Sequence, residues 1–187
     1  MNMTGLSKRK IKGRFYMNLR KNILTALLIA MGYILHQVIP GTIGSMKFDI
    51  MLAFVFVALF VNRDFKSMIL TALLSGAITA LTTTFPGGQI PNIIDKLITC
   101  FAVYLLIKLF DRFNFKQGTV GLIAFVGTII SGSVFLYSAL LLVGLPAPFP
   151  ILFVGIVLPT AFANIFVTLI AYNAARTAIK ASGVKYI

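Results

Sequence analysis

The sequence predicts an all-α integral membrane protein, a bundle of six transmembrane helices with both termini in the cytoplasm. Three observations carry this. Of 187 residues, 59% are hydrophobic and only 11% charged, too few charges to cover a soluble globule. The apolar residues fall in long runs separated by turn chemistry. The basic residues gather on one side of those runs. The length suits one membrane domain, residues 22–187, preceded by a basic cytoplasmic extension at 1–21, part flexible and part interfacial helix.

A crossing takes about 20 apolar residues, which gives six spans: Ile23–Ile39, Phe48–Val61, Ser67–Thr84, Ile93–Phe110, Thr119–Val143 and Ile151–Ala175. The first follows a long basic segment and reads as a retained helix; a signal peptide is the alternative, but no A-x-A cleavage site follows Pro40. The second is short and carries Asp49 in its first turn, so it crosses only if extended or if the bundle is locally thin. The third has a small-residue stripe, Ala72, Gly76 and Ala80, suited to internal packing. The fourth opens with Asn92, Asp95 and Lys96 at i, i+3 and i+4, on one face. The fifth holds Ser131-Gly132-Ser133, read as close helix packing. Pro40-Gly41, Asn62–Lys66, Pro86–Pro91, Asp111–Gly118 and Gly144–Pro150 carry the stop and turn residues between spans.

Charge orients the bundle. Lys8, Arg9, Lys10, Lys12, Arg14, Arg20 and Lys21 precede the first span. Arg63, Lys66, Lys108, Arg112 and Lys116 lie in two connections on the same side, and Arg176, Lys180 and Lys185 follow the last span. Fifteen of the seventeen basic residues thus share one face, with Lys47 and Lys96 on the other. The positive-inside rule makes the richer face cytoplasmic. A net charge of +13 then reflects topology and attraction to anionic lipid, and nucleic-acid binding is excluded because no soluble domain exists to display a patch.

The outer face carries Lys47, Asp49, Asp95 and Lys96, which sum to zero, with His36, Gln89 and Asn92 nearby. Tyr33, Phe48, Phe85, Tyr137, Phe149 and Phe153 stand close to the same level. An apolar cleft with a few convergent polar groups is the usual form of a small-molecule site, and paired opposite charges suit a zwitterion. The run Phe-Pro-Gly-Gly-Gln-Ile-Pro-Asn-Ile-Ile-Asp-Lys at 85–96 is the most informative stretch. Ionisable residues at the mouth of a membrane helix are expensive to bury and mark function by default. Capping explains part of the inventory: Asp95 and Lys96 at the fourth helix, Asn92 as its N-cap, Lys47 and Asp49 at the second, His36 at the end of the first.

Catalysis finds little support. There is no H-E-x-x-H, no cysteine cluster and no P-loop. One histidine and one cysteine, His36 and Cys100, make neither a metal site nor a disulfide, and no cofactor is expected. Asp64 and Asp111 read as solvated ion pairs. Ala26 and Ala30 form a small-xxx-small face on the first helix, which Gly32 extends. Such faces serve internal packing or a partner helix.

On these residues the chain resembles the substrate-binding S components of energy-coupling-factor (ECF) transporters, and more narrowly its tryptophan-specific members. The resemblance covers nearly the whole chain. Its most specific parts are Leu24–His36, Thr82–Lys96 and the surroundings of Ser131-Gly132 and Leu158-Pro159; the tail Met1–Lys21 goes beyond the family pattern. The resemblance implies a multi-pass cell-membrane subunit, not an enzyme, that captures tryptophan from outside. It implies delivery through a transmembrane T component powered by two ATPase subunits, with Ala26 and Ala30 as the docking face. The expected substrate site comprises Gln89, Asn92, Asp95, Lys96, Gly87, Gly88, His36 and Tyr137, with Lys96 preferred to Lys47 for the carboxylate and Asp95 facing the ammonium. An S component for a vitamin or another aromatic nutrient, and a membrane enzyme or scaffold, remain the alternatives.

Overall fold

The computed structural model describes residues 3–40, 46–111 and 116–181, with side chains described at 19 and from 21 onward. They form six helices in up-and-down order and no strand among the described residues. These are α1 (Met3–Val38), α2 (Met51–Val61), α3 (Phe65–Thr82), α4 (Gln89–Phe110), α5 (Gln117–Leu142) and α6 (Phe149–Ala181). Five residues of α6, Phe153–Val157, take the wider π-helical turn. Gly41, Arg112 and Lys185 lie outside the described residues.

Length and apolarity suit four helical stretches for crossing a membrane: Lys21–Val38, Phe65–Thr82, Gln117–Leu142 and Phe149–Ala181. The other two depart from the expected spans for specific reasons. Helix α2 has 11 residues, about 16 Å at 1.5 Å per residue. The helix expected from Phe48 starts only at Met51, because Asp49 Oδ1 accepts a hydrogen bond from Leu52 N at 3.2 Å and holds the approach non-helical. Every residue from Met51 to Phe60 is buried, as a helix apolar on all sides must be. Helix α4 is long enough but carries Asp95, Lys96 and Lys108. It begins four residues before the expected Ile93, since Pro91 falls in the first turn, where a missing N–H costs no helical bond.

Close packing positions these helices around α2. Lipid-immersed helices gain little from apolar burial against one another, so backbone proximity decides the fit. A Cβ on Gly32 would stand 3.0 Å from Phe54 Cβ, and one on Gly127 would stand 2.7 Å from Phe56 Cζ. Gly32 therefore belongs to the α1–α2 contact and does not extend the face of Ala26 and Ala30, both of which are exposed. Ala72, Gly76 and Ala80 are buried on α3, as expected of an internal stripe. The basic extension is helical from Met3 and continuous with the first span.

At one end of the bundle Arg63 pairs with Asp111, tying the α2–α3 turn to the end of α4. Asp64, expected in an ion pair, instead caps α3 by accepting a hydrogen bond from Ser67 N at 3.0 Å. At the other end α1, α3 and α5 finish, α2, α4 and α6 start, and the chain turns tightly. Gly87 has φ +72°, and a Cβ there would meet Val143 Cγ1 at 2.2 Å, so this turn demands glycine.

Candidate functional site

A cavity opens at this second end, and together with its open mouth it holds about 670 Å³ of free space. All six helices contribute to it or to its rim. His36 ends α1, Met46, Lys47 and Asp49 lie in the approach to α2, and Thr79, Thr83, Thr84 and Phe85 come from α3 and the following turn. Asn92 and Asp95 come from α4, Thr128, Ser131, Gly132, Phe135 and Leu136 from α5, and Ile156, Val157 and Thr160 from α6.

One wall is charged. Lys96 is fully buried behind the lining residues. Its Nζ donates to Asp49 Oδ2 at 2.5 Å and also to Asp95 Oδ2. Thr99 Oγ1 donates to Asp95 Oδ1 at 2.8 Å, and Ser131 on α5 lies beside the same carboxylate. The helical repeat makes this possible, since 92, 95, 96 and 99 share one face of α4. Gly76 of α3 faces the Lys96 stem, where a Cβ would make an ordinary contact at 3.5 Å from Lys96 Cβ. Asn164, also fully buried, donates through Nδ2 to the Asp49 carbonyl at 3.0 Å and to Thr128 Oγ1 at 3.2 Å, fixing the approach to α2 from the far side.

One cation against two carboxylates leaves this wall one negative charge in excess. His36 Nδ1 stands 3.9 Å from Asp49 Oδ1 and has no hydrogen-bond partner. Lys47 lines the cavity and forms no ion pair among the described residues. The cavity lining therefore holds two carboxylates, Asp49 and Asp95, and a lysine, Lys47, that forms an ion pair with neither.

The remaining wall is apolar and aromatic. Phe85 and Phe135 meet edge to face, with centroids 5.7 Å apart, and Leu136, Ile156 and Val157 pack beside them. Phe149 and Phe153 stack at 6.1 Å against the same cluster. The π-helical turn of α6 lies here, opposite Gly132, where a Cβ would come within 2.4 Å of Val157 Cγ1.

The expected site residues divide by position. Asn92, Asp95 and His36 line the cavity, and Lys96 stands directly behind it. Gly87 and Gly88 shape the adjoining turn. Asn92, expected as an N-cap, lies inside the first turn of α4 and donates to Gly88 O at 2.8 Å. Gln89 is exposed outside the lining, and Tyr137 is 61% exposed on the outer surface of α5. Lys47 and Asp49, attributed to capping, both reach the cavity, Asp49 while also holding the start of α2. Thr79, Thr128, Ser131, Thr160 and Asn164 had not been singled out for this site. Asn164 carried a usable signal, an amide in the middle of an apolar span; the hydroxyls carried none, because threonine and serine are common in such helices. No group of three metal-ligating side chains occurs among the described residues.

Residues 18–180 match the family model described as tryptophan transporter TrpP. A chain from Clostridium acetobutylicum is 43% identical over 165 residues, covering 88% of this chain and 96% of its own length. One from Bacillus subtilis strain 168 is 41% identical over 166 residues, covering 89% and 96%. One from Clostridium perfringens is 36% identical over 177 residues, covering 88% and 97%. Each of the three is named "probable tryptophan transport protein". No solved structure matches the chain.

Proposed function

The chain belongs to the tryptophan transporter TrpP family, and from that premise we propose that it captures tryptophan in the cavity described above, as the S component of an ECF-type importer. It is a multi-pass membrane protein of a transporter family, not an enzyme. The observation that carries the reading is the presence of both signs of charge in the lining of one apolar cavity. Tryptophan brings an ammonium, a carboxylate and a large aromatic group, and each finds a matching surface.

The ammonium meets the excess negative charge of Asp49 and Asp95. The carboxylate meets Lys47, which the geometry supports over Lys96, since Lys96 is already held by two carboxylates and lies behind the lining. Lys96 acts as the clamp that keeps both acids in place. The indole lies against Phe85, Phe135, Leu136, Ile156 and Val157, where its ring buries apolar area.

The bundle crosses the membrane six times with both termini cytoplasmic, the short α2 completing its crossing through Met46–Ile50. Support comes from the basic side chains Arg63, Lys66, Lys108, Lys116, Arg176 and Lys180, which lie at or near the helix ends remote from the cavity. The positive-inside rule then opens the cavity outward. The exposed pair Ala26 and Ala30 on α1 docks the T component, which couples the chain to two ATPases, and the basic end contacts anionic lipid.

Uptake of labelled tryptophan tests this reading. Cells with no other tryptophan uptake should accumulate it when they express this chain with a T component and two ATPases. With the chain alone they should bind but not accumulate. Accumulation by the chain alone overturns the ECF assignment. Accumulation of a vitamin in place of tryptophan overturns the substrate.

A further inference from the structure

Three threonine hydroxyls that line the cavity have already spent their protons. Thr79 Oγ1 donates to Ser75 O at 2.8 Å, Thr128 Oγ1 to Ala124 O at 2.7 Å, and Thr160 Oγ1 to Ile156 O at 2.6 Å. A hydroxyl has one proton and two lone pairs. Toward the cavity these three groups can therefore accept hydrogen bonds and cannot give them. The ionised Asp49 and Asp95 add only acceptors. Nitrogen donors, Lys47, Asn92 and His36, come instead from α1, the approach to α2 and the first turn of α4.

Such a wall discriminates by chemistry as well as shape. A ligand atom reaching it gains by donating and loses by presenting a lone pair, because two facing acceptors repel and neither is hydrated. Two of the three oxygens have other claims on them. Thr128 Oγ1 also accepts from Asn164 Nδ2 at 3.2 Å. Thr79 is on α3, the helix packed against the charged face of α4, where an ammonium has first claim. Thr160 is different. It follows Ile156 and Val157 on the apolar wall of α6, is buried, and keeps both lone pairs free. The π-helical turn at Phe153–Val157 lies between it and the stacked Phe149 and Phe153, and such turns often mark binding sites because they re-aim one helix face against the next.

We propose that Thr160 is the specificity-determining residue for the indole ring, its Oγ1 accepting the ring N–H at the base of the apolar wall. This rests on the reading that the cavity holds tryptophan. It makes the ring nitrogen a required donor, so aromatic amino acids of similar size without it fit the same wall and leave a buried acceptor unmatched. A site built to hydrogen-bond one group rejects analogues lacking it far more strongly than apolar contact alone can.

The test is a ratio of dissociation constants on the purified full-length chain for L-tryptophan and 3-benzothienyl-L-alanine, in which sulfur replaces the ring N–H. The wild-type chain should prefer tryptophan by about tenfold or more, the order expected for one buried hydrogen bond. Thr160→Ser should keep that preference, and Thr160→Val should reduce it to within about twofold, through weaker tryptophan binding and unchanged analogue binding. Persistence of the preference in Thr160→Val, or equal loss of both ligands, overturns the assignment. Should Thr160→Val fail to fold, equal binding of both ligands by the wild-type chain still overturns it. Absence of saturable tryptophan binding by the wild-type chain instead defeats the reading of function, and the assignment with it.

Discussion

Lys96 Nζ lies 2.5 Å from Asp49 Oδ2, a contact spanning 47 residues, and the same ammonium holds Asp95 one position before it. One buried cation thus ties the approach to α2 onto the start of α4, and both carboxylates line the cavity as a result. Breaking a buried ion pair from one side is far costlier than the pair's net contribution, because the remaining charge is left unsolvated.

Lys96→Met should therefore act first on the fold. It leaves the buried Asp95 and the half-buried Asp49 without their shared counter-ion, a loss of about 3–5 kcal/mol. Thermal unfolding of the purified protein in detergent should show a large drop in midpoint before any ligand is added. An unchanged midpoint with selective loss of tryptophan binding would return Lys96 to the role of carboxylate ligand.

Lys47→Ala should do the opposite. Lys47 lines the cavity and has no ion-pair partner to orphan among the described residues, so the unfolding midpoint should hold. Tryptophan affinity should fall by about 2–5 kcal/mol, the range for removing one partner of a desolvated charge pair. Tryptamine, which lacks the carboxylate, should bind wild type and variant alike.

How much of this was legible in the sequence follows from what each signal measures. Apolar run length located all six helices, and the Gly/Pro-rich turn before α4 drew attention to Asp95 and Lys96. Run length marked Phe48–Val61 as short, but it could not show that α2 starts only at Met51 and is buried on every side. Nor could it show that Asp49 and Lys96 meet, since that depends on how α2 and α4 pack. Tyr137 shows the limit most plainly. It lies at the right level along α5 but faces away from the cavity, and level is all that sequence position gives without a helical phase. The hydroxyls of Thr128, Ser131 and Thr160 became part of a site only once α5 and α6 were brought together.

Gly132→Ala should disturb both fold and site. The added methyl would stand 2.4 Å from Val157 Cγ1, beyond what a packed interface absorbs without backbone movement, at a cost of about 1–3 kcal/mol. Val157→Ala in the same chain should restore much of the lost unfolding temperature. If the double variant were no better than the sum of the single ones, the α5–α6 contact would not be the cause.

Ala26→Leu and Ala30→Leu should separate binding from delivery. Both positions are exposed on α1 and remote from the cavity lining, so the isolated chain should bind tryptophan normally. Uptake together with the T component and ATPases should be lost, because bulk on a small-residue face prevents close helix approach. Loss of binding along with uptake would make this face part of the fold.

The central claim is that one cavity recognises both charges of tryptophan as well as its ring. Equilibrium titration of the purified wild-type chain with L-tryptophan, tryptamine and indole-3-propionate tests it most directly. We expect saturable binding of tryptophan at one site, with tryptamine and indole-3-propionate each weaker by about tenfold or more, since each leaves one charged pole of the cavity unmatched. Equal affinity for all three would show that the ring alone is recognised and would contradict the account.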